Sequence, residues 1–268
     1  MSTWIQAAWR CCALVVLALA VAPCAARAQE EHGHIHGLHF SHPLFTESVT
    51  PDTKLRLDLG EEWETDGNAT EIELEAEYAF HRSVSVEVGA PYVFLDPDLG
   101  SATSGAGNLE VALKFANFAF EESGMLLGYG VGVELPTGDA EAGTGTDHIW
   151  ELEPFLNLGV AVADFELVAW GIFGIPTNQD AGEEVETDFS YDFSVLYHFA
   201  EKFQGLLELN GRTGLSGEGA GEGVVAVSPG VKMAPLPDSP LFIGVGVSVP
   251  TNGEELDARL KISLFWHF

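Results

Sequence analysis

Polar and apolar residues alternate along most of the chain with the two-residue period of a β-strand. In the stretch EIELEAEYAF, residues 71–80, one parity carries four glutamates and the other carries apolar side chains. Because successive side chains of a strand point to opposite faces, this stretch predicts a strand with one acidic and one apolar face. The pattern recurs in LRLDLGEEW (55–63), SVSVEVGAPYVF (83–94), NLEVALKF (108–115) and LDARLKISLFWHF (256–268). We count twelve such strands, and no segment carries a helical period.

The connections between these strands alternate between two kinds. Short connections lie at 81–82, 120–123, 163–164, 200–202 and 235–240, and longer ones rich in Gly, Asp and Thr lie at 64–68, 95–107, 137–147, 177–187, 216–222 and 251–255. Strict alternation predicts antiparallel neighbours, with short turns at one end of the sheet and long loops at the other. No break in composition indicates a second domain.

Two architectures fit twelve alternating strands. A soluble β-sandwich buries its apolar faces, whereas an outer-membrane barrel turns them towards lipid and its polar faces towards a lumen. The even strand count, strands of about ten residues and the loop alternation favour the barrel, and closure leaves no unpaired edge in lipid. We therefore expect an all-β fold, a single antiparallel transmembrane β-barrel of about twelve strands, after a cleaved signal peptide.

The C-terminus supports the barrel. Leu264, Trp266 and Phe268 share the apolar parity, and the chain ends on an aromatic residue. Outer-membrane barrels commonly end this way, so these three residues predict a C-terminal signal for the barrel-insertion machinery.

The first 28 residues have the features of a secretory signal peptide. Arg10 and an apolar run over 11–22 precede an A-R-A cleavage motif, and the run is shorter than the roughly 20 residues that span a bilayer. We expect the mature chain to begin at Gln29; a lipoprotein signal acylated at Cys24 is the alternative. All the cysteines, Cys11, Cys12 and Cys24, lie in this segment. The predicted organisation is a signal peptide (1–28), a His-rich periplasmic segment (29–52) and an outer-membrane barrel (53–268).

The charge of the chain excludes one class of partner and suggests a lumen. The formal net charge is −30, which repels nucleic acid phosphates and leaves no basic patch to bind them. On the polar parity we predict pore-lining residues, with a basic stripe beside an acidic one: Lys54, Arg56, Arg259 and Lys261 against Glu71, Glu73, Glu75 and Glu77. These charges would either form a field across an open, cation-preferring pore or pair with one another and fill the barrel.

The segment HGHIHGLHFSH after the expected cleavage site is rich in histidine. His32, His34, His36, His39 and His42 could capture a divalent metal such as zinc, copper or nickel, because imidazole suits these ions. The alternative is a solvated tail. We predict no other cofactor and no enzymatic activity: Ser194 and His198 share a face of one strand, but four residues at about 3.3 Å each separate them beyond hydrogen-bonding distance.

Several short stretches resemble a known outer-membrane family. HFSHPLFTES (39–48), PDTKLRLDL (51–59), GAGNLEVALKF (105–115) and GVGVELPTGD (130–139) resemble the family labelled as the putative MetA pathway of phenol degradation. In that family a G-[DN]-L-x-[VL]-x-x-K-[FY] strand and an L-P-T-G-D hairpin end recur. The resemblance implies a barrel and a link to the uptake or handling of aromatic compounds, and it carries over no catalytic residues.

These observations predict a channel or transporter-like barrel in the outer membrane for small solutes, including aromatic or hydrophobic compounds. The expected partners are outer-membrane lipid and lipopolysaccharide, the insertion machinery and a small-molecule solute. Two alternatives remain open at this point. One is a non-conducting structural or surface-interaction barrel, and the other is periplasmic metal capture by the His-rich segment.

Overall fold

The computed structural model describes residues 38–177, 187–200, 202–217, 220–236, 239–252 and 256–268. The strands are β1 (Lys54–Glu64), β2 (Gly67–His81), β3 (Val84–Pro97), β4 (Thr103–Ala106), β5 (Leu109–Asn117), β6 (Met125–Leu135), β7 (Trp150–Val162), β8 (Phe165–Thr177), β9 (Asp188–Ala200), β10 (Phe203–Gly214), β11 (Gly223–Met233), β12 (Leu241–Pro250) and β13 (Leu256–His267). A 3-10 turn, Glu121–Ser123, lies between β5 and β6. No helix in the described ranges is long and apolar enough to span a bilayer.

The sheet closes on itself as a barrel of twelve spanning strands. Each strand pairs antiparallel with its neighbours, and β1 pairs with both β2 and β13. β4 and β5 form two halves of one spanning strand: β4 pairs with the part of β3 nearer the long loops, and β5 pairs with the remainder. The predicted antiparallel β-barrel of about twelve strands is confirmed, and the predicted signal peptide, 1–28, lies outside the described residues.

The side chains of the barrel are distributed inside out relative to a soluble domain. In β1, Lys54, Arg56 and Asp58 are only 1–3% exposed, whereas Leu55 and Leu59 are about 40% exposed. The alternation follows from the strand period of two. A barrel with an apolar outer surface and a polar interior suits a bilayer, because lipid covers the outer face and the charges find partners inside.

The two ends of the barrel differ. The chain enters β1 and leaves β13 at the end with the short turns, and the amide of Phe268 donates to the Thr53 carbonyl there. Exposed aromatic rings such as Tyr78, Phe165 and Phe199 lie near the same end. In outer-membrane barrels the short turns face the periplasm and aromatic rings mark the membrane boundaries.

Candidate functional site: a plugged lumen

The chain immediately before β1 lies inside the barrel lumen. We call residues 38–52 the plug. Its Phe40 and Leu44 side chains are fully buried. The plug folds back on itself, because the Phe40 amide donates to Thr50 Oγ1 (2.9 Å) and the Ser48 hydroxyl donates to the Phe40 carbonyl (2.8 Å). The plug is therefore a compact loop that brings its own internal hydrogen bonds into the barrel.

Two carboxylates of the barrel wall hold the backbone of the plug. The buried Glu208 of β10 accepts the consecutive amides of residues 44–46 at 2.9 to 3.2 Å, and it also accepts the hydroxyl of Ser194. On β8, Glu166 accepts the Ser41 amide at 2.7 Å. Hydrogen bonds to an ionised acceptor are stronger than those between neutral groups. These two glutamates therefore fix the depth at which the plug lies.

Glycines on the inward parity make room for the apolar side chains of the plug. A Cβ atom added at Gly244 in β12 would lie 2.3 Å from Leu44 Cδ2, and one added at Gly159 in β7 would lie 2.7 Å from Phe40 Cζ. Glycine in a strand allows this close approach. Any larger residue at these positions would displace the plug.

Glu47 connects the plug to ion pairs on the β1 side of the lumen. Its Oε2 atom lies 3.1 Å from Lys54 Nζ and 3.9 Å from Lys114 Nζ, and its Oε1 atom pairs with the Arg56 guanidinium. Burial by itself raises the pKa of Glu47, but Lys54 and Arg56 outweigh burial and lower this pKa well below its usual range. Glu47 is therefore the ionic contact between the plug and this wall.

The predicted pore-lining residues all lie on the inward parity: Lys54, Arg56, Glu71, Glu73, Glu75, Glu77, Arg259 and Lys261. The prediction of a single basic stripe is wrong. Lys54 is opposite His267, whereas Lys261 is opposite Gly60, about 20 Å further along the strand. Each cation has an acidic partner instead, such as Glu75 for Lys54 and Asp58 for Lys261.

The prediction of a histidine-rich periplasmic segment outside the barrel, 29–52, is wrong for the plug. His42 is fully buried and His39 is half exposed beside it, because the plug's backbone finds its hydrogen-bond acceptors in the lumen. His32, His34 and His36 lie outside the described residues. The sequence did carry a signal that we missed. Leu38, Phe40, Leu44 and Phe45 are too apolar for a solvated tail.

The wall opposite the ion pairs carries an apolar patch that contains unpaired polar atoms. Its inward residues include Phe155, Val168, Trp170, Leu196 and Leu206. The rings of Phe155 and Trp170 lie 4.6 Å apart. Asn157 and Trp170 face each other in the β7–β8 register. The Asn157 amide and the Trp170 indole N–H are buried without a hydrogen-bond partner among the described residues. Buried polar atoms of this kind normally have a partner.

Lumen space remains beside the ion pairs and nearer the long loops. A cavity of about 130 Å³ lies between the plug and the ionic wall, and Glu47, Glu73 and Glu110 are among its lining residues. A second cavity of about 360 Å³ is lined by residues nearer the long loops, including Asn108 and Thr144. Acidic side chains border both spaces.

Ser194 and His198 have separate partners. The Ser194 hydroxyl hydrogen-bonds Glu208 and Thr46, whereas His198 Nε2 lies 2.6 Å from Glu166 Oε1. Both side chains thus support the residues that hold the plug.

The fold and the lumen together define a β-barrel of the outer-membrane type, with the plug inside its lumen. Residues 33–261 match the family described as "Putative MetA-pathway of phenol degradation". The chain belongs to this family. A comparison with curated protein sequences gives no match.

Solved structures with the same fold include outer-membrane channels and porins. The COG4313 outer membrane channel from Pseudomonas putida F1 is 14% identical with a TM-score of 0.63, over 88% of this chain and 100% of that one. The NanC porin is 10% identical with a TM-score of 0.56, over 79% and 98%. The KdgM porin is 12% identical with a TM-score of 0.54, over 80% and 99%. At these identities the likeness establishes the fold.

Proposed function

We propose that this protein is an outer-membrane channel for small solutes that the plug closes and that opens when the plug leaves the lumen. The observation that carries the proposal is the way the plug is held. Wall carboxylates accept its amides and Glu47 pairs with wall cations, and the contacts described between plug and wall are non-covalent. Such contacts can be exchanged for water, so they are compatible with a closed and an open state.

We further propose aromatic solutes with a polar substituent as the substrate class. The description of the family refers to phenol degradation, and the lumen offers matching chemistry. Phe155 and Trp170 present rings that favour stacking. The adjacent Asn157 amide and Trp170 indole N–H have no partner among the described residues and could bind a hydroxyl group. Phe40 of the plug packs against Gly159, which lies two residues after Asn157 in β7. A solute ring would therefore take a place on the wall that the plug partly covers.

A non-conducting structural barrel is the second candidate. The plug and the ion pairs fill much of the lumen, and this observation favours a structural role. The two functions differ in what happens when the plug is removed.

The first test is conductance in a planar bilayer. We expect the refolded chain without residues 1–28 to conduct weakly, and a variant that also lacks residues 38–50 to give discrete current steps several-fold larger. The steps should favour cations, because carboxylates border the lumen cavities. Removing residues 29–37 instead is the control for shortening the chain. A folded plug-deleted barrel that conducts no better than the full one would favour the structural role.

The substrate class is tested on the plug-deleted barrel. Phenol should reduce its current at lower concentration than cyclohexanol does, because only phenol has an aromatic ring to stack. Trp170→Phe keeps a ring but loses the indole N–H, and Asn157→Leu loses the amide, so each should weaken the effect of phenol several-fold. Trp150→Phe, at an exposed position, is the matched control. Equal block by phenol and cyclohexanol would rule out the aromatic preference without contradicting the proposal of a channel.

A further inference from the structure

Three imidazole nitrogens surround one carboxylate oxygen where the plug joins the barrel. Asp52 Oδ2 lies 2.6 Å from His267 Nδ1, 3.3 Å from His42 Nε2 and 3.4 Å from His39 Nε2. Donor atoms of His42, Asp52 and His267 all lie within 4.8 Å of one another. We call these four residues the His/Asp cluster. Three belong to the plug and the fourth to the last strand.

The Asp52 carboxylate already holds two imidazoles of the His/Asp cluster together. A carboxylate oxygen has about two lone-pair sites, and Asp52 Oδ2 lies 3.3 Å from His42 Nε2 and 2.6 Å from His267 Nδ1. The other oxygen of Asp52 accepts the Thr53 amide at 2.7 Å. His39 is half exposed and lies 3.4 Å away as an ion-pair contact. One nitrogen of each of two rings is therefore placed beside the same carboxylate oxygen.

We propose that His42, Asp52 and His267 bind one divalent transition-metal ion, with Zn²⁺ as the best fit. Two imidazoles and a carboxylate are a donor set that zinc accepts in tetrahedral geometry, with water in the fourth position. Ligand bonds of about 2.0–2.1 Å place tetrahedral ligands about 3.3 Å apart. His42 Nε2 already lies at that distance from Asp52 Oδ2, whereas the 2.6 Å contact between Asp52 and His267 would have to lengthen.

The surroundings of His42 supply what a metal ligand needs. When Nε2 binds a metal, Nδ1 of the neutral ring carries the proton and must donate it. Glu47 Oε2 lies 3.7 Å from Nδ1 and can accept that proton after a small approach. A carboxylate behind a ligating histidine is a common arrangement. Lys54, which now lies 3.2 Å from Nδ1, keeps Glu75 as a partner.

Metal binding would tie the plug to the barrel. His42 and Asp52 belong to the plug, and His267 is the last residue of β13. One ion would therefore fix the plug to the wall. This site differs from capture by a solvated tail, because each of its ligands has a place in the folded barrel.

The test is a Zn²⁺ titration of the refolded full chain without residues 1–28, in competition with a chromophoric chelator. We expect one Zn²⁺ per chain. His267→Gln should weaken binding by at least about tenfold, since even indirect support of a metal ligand has effects of that size. Co²⁺ should give a tetrahedral visible spectrum with the wild type that the variant loses. Zn²⁺ should also raise the thermal midpoint of the wild type but not that of the variant.

The controls separate this site from other histidines. Heat-dependent mobility on a gel shows that each variant is folded, and Asp52→Asn serves if His267→Gln is not folded. His81→Ala, at the exposed end of β2, should bind like the wild type. Loss of the bound Zn²⁺ in His32→Ala/His34→Ala/His36→Ala, or unchanged affinity in the cluster variant, would overturn the proposal. Absence of Zn²⁺ binding by the wild type would also overturn it.

Discussion

At the scale of single residues, Glu208 shows how the barrel wall holds the plug. Its side chain is 1% exposed, and its two oxygens accept three successive plug amides and one wall hydroxyl. A turn of backbone with several N–H groups pointing the same way is a good partner for an anion. Glu208 is therefore an acceptor that the plug requires, and its negative charge strengthens the hydrogen bonds from the plug amides.

We predict that Glu208→Gln loosens the plug. The amide group of glutamine cannot accept on its nitrogen side, so at least one plug amide loses its acceptor, at a cost of about 1–3 kcal/mol in docking free energy. More frequent openings in a planar bilayer and faster proteolysis within 38–52 would show the effect. Glu222→Gln, at an exposed position, should leave both unchanged. If Glu208→Gln opened no more often than the wild type, other contacts would be holding the plug.

At the scale of elements, the break between β4 and β5 orders the loop that follows β6. Asn108 lies at this break, and its Oδ1 atom accepts the amides of Gly138 and Thr146. The Thr137 hydroxyl accepts the Leu109 amide at 2.9 Å. Two of the stretches that resemble the family, which contain G-N-L and L-P-T-G-D, thus pack against each other. Each supplies hydrogen bonds to the other.

Asn108→Ala should release the loop over 136–149. Two buried or half-buried amides lose their acceptor, which costs roughly 1–3 kcal/mol each where water does not replace it. Amide hydrogen exchange should become faster over 136–149 and stay unchanged at the short turns. Asn117→Ala removes the acceptor of the Ala119 amide at the opposite end of the barrel. In this variant, exchange should become faster at the short turn after β5 and stay unchanged over 136–149. Unchanged exchange over 136–149 would show that the rest of the loop holds itself.

At the scale of the whole molecule, the outward parity of β13 is where the sequence predicted an insertion signal. Leu264 and Trp266 are half-buried and Phe268 is 62% exposed, while Ser263 and Phe265 face inward. The three predicted signal residues therefore form one strip on the outer surface, available to a partner. Recognition by the insertion machinery and contact with lipopolysaccharide stay predictions.

Phe268→Ala separates folding from insertion. The exposed ring adds little to the folded barrel, and the Phe268 amide keeps its bond to the Thr53 carbonyl. Refolding in detergent should therefore match the wild type, whereas the amount of barrel in the outer membrane of cells should fall several-fold. Phe80→Ala removes another aromatic ring of similar exposure, 58%, and should not affect insertion. Equal loss in both variants would mean that membrane anchoring, rather than a terminal signal, is responsible.

The sequence by itself determined the strands, their number and the faces they present. The two-residue period is a local property of the chain, so residues such as Leu55 and Arg56 reveal their opposite sides without any knowledge of neighbours. The same period, with the aromatic end at Phe268, was enough to predict a barrel whose polar face lies inside.

Only the tertiary structure decided what fills the lumen. Strand register places Lys261 beside Asp58 rather than beside Lys54, and register depends on pairings between residues far apart in sequence. The plug is the clearest case. Its acceptors Glu166 and Glu208 come from strands more than a hundred residues away, and nothing in a local pattern connects them to residues 38–52. Burial of His42 and the cluster around Asp52 follow from that placement, because closing the barrel is what brings the last strand to the first.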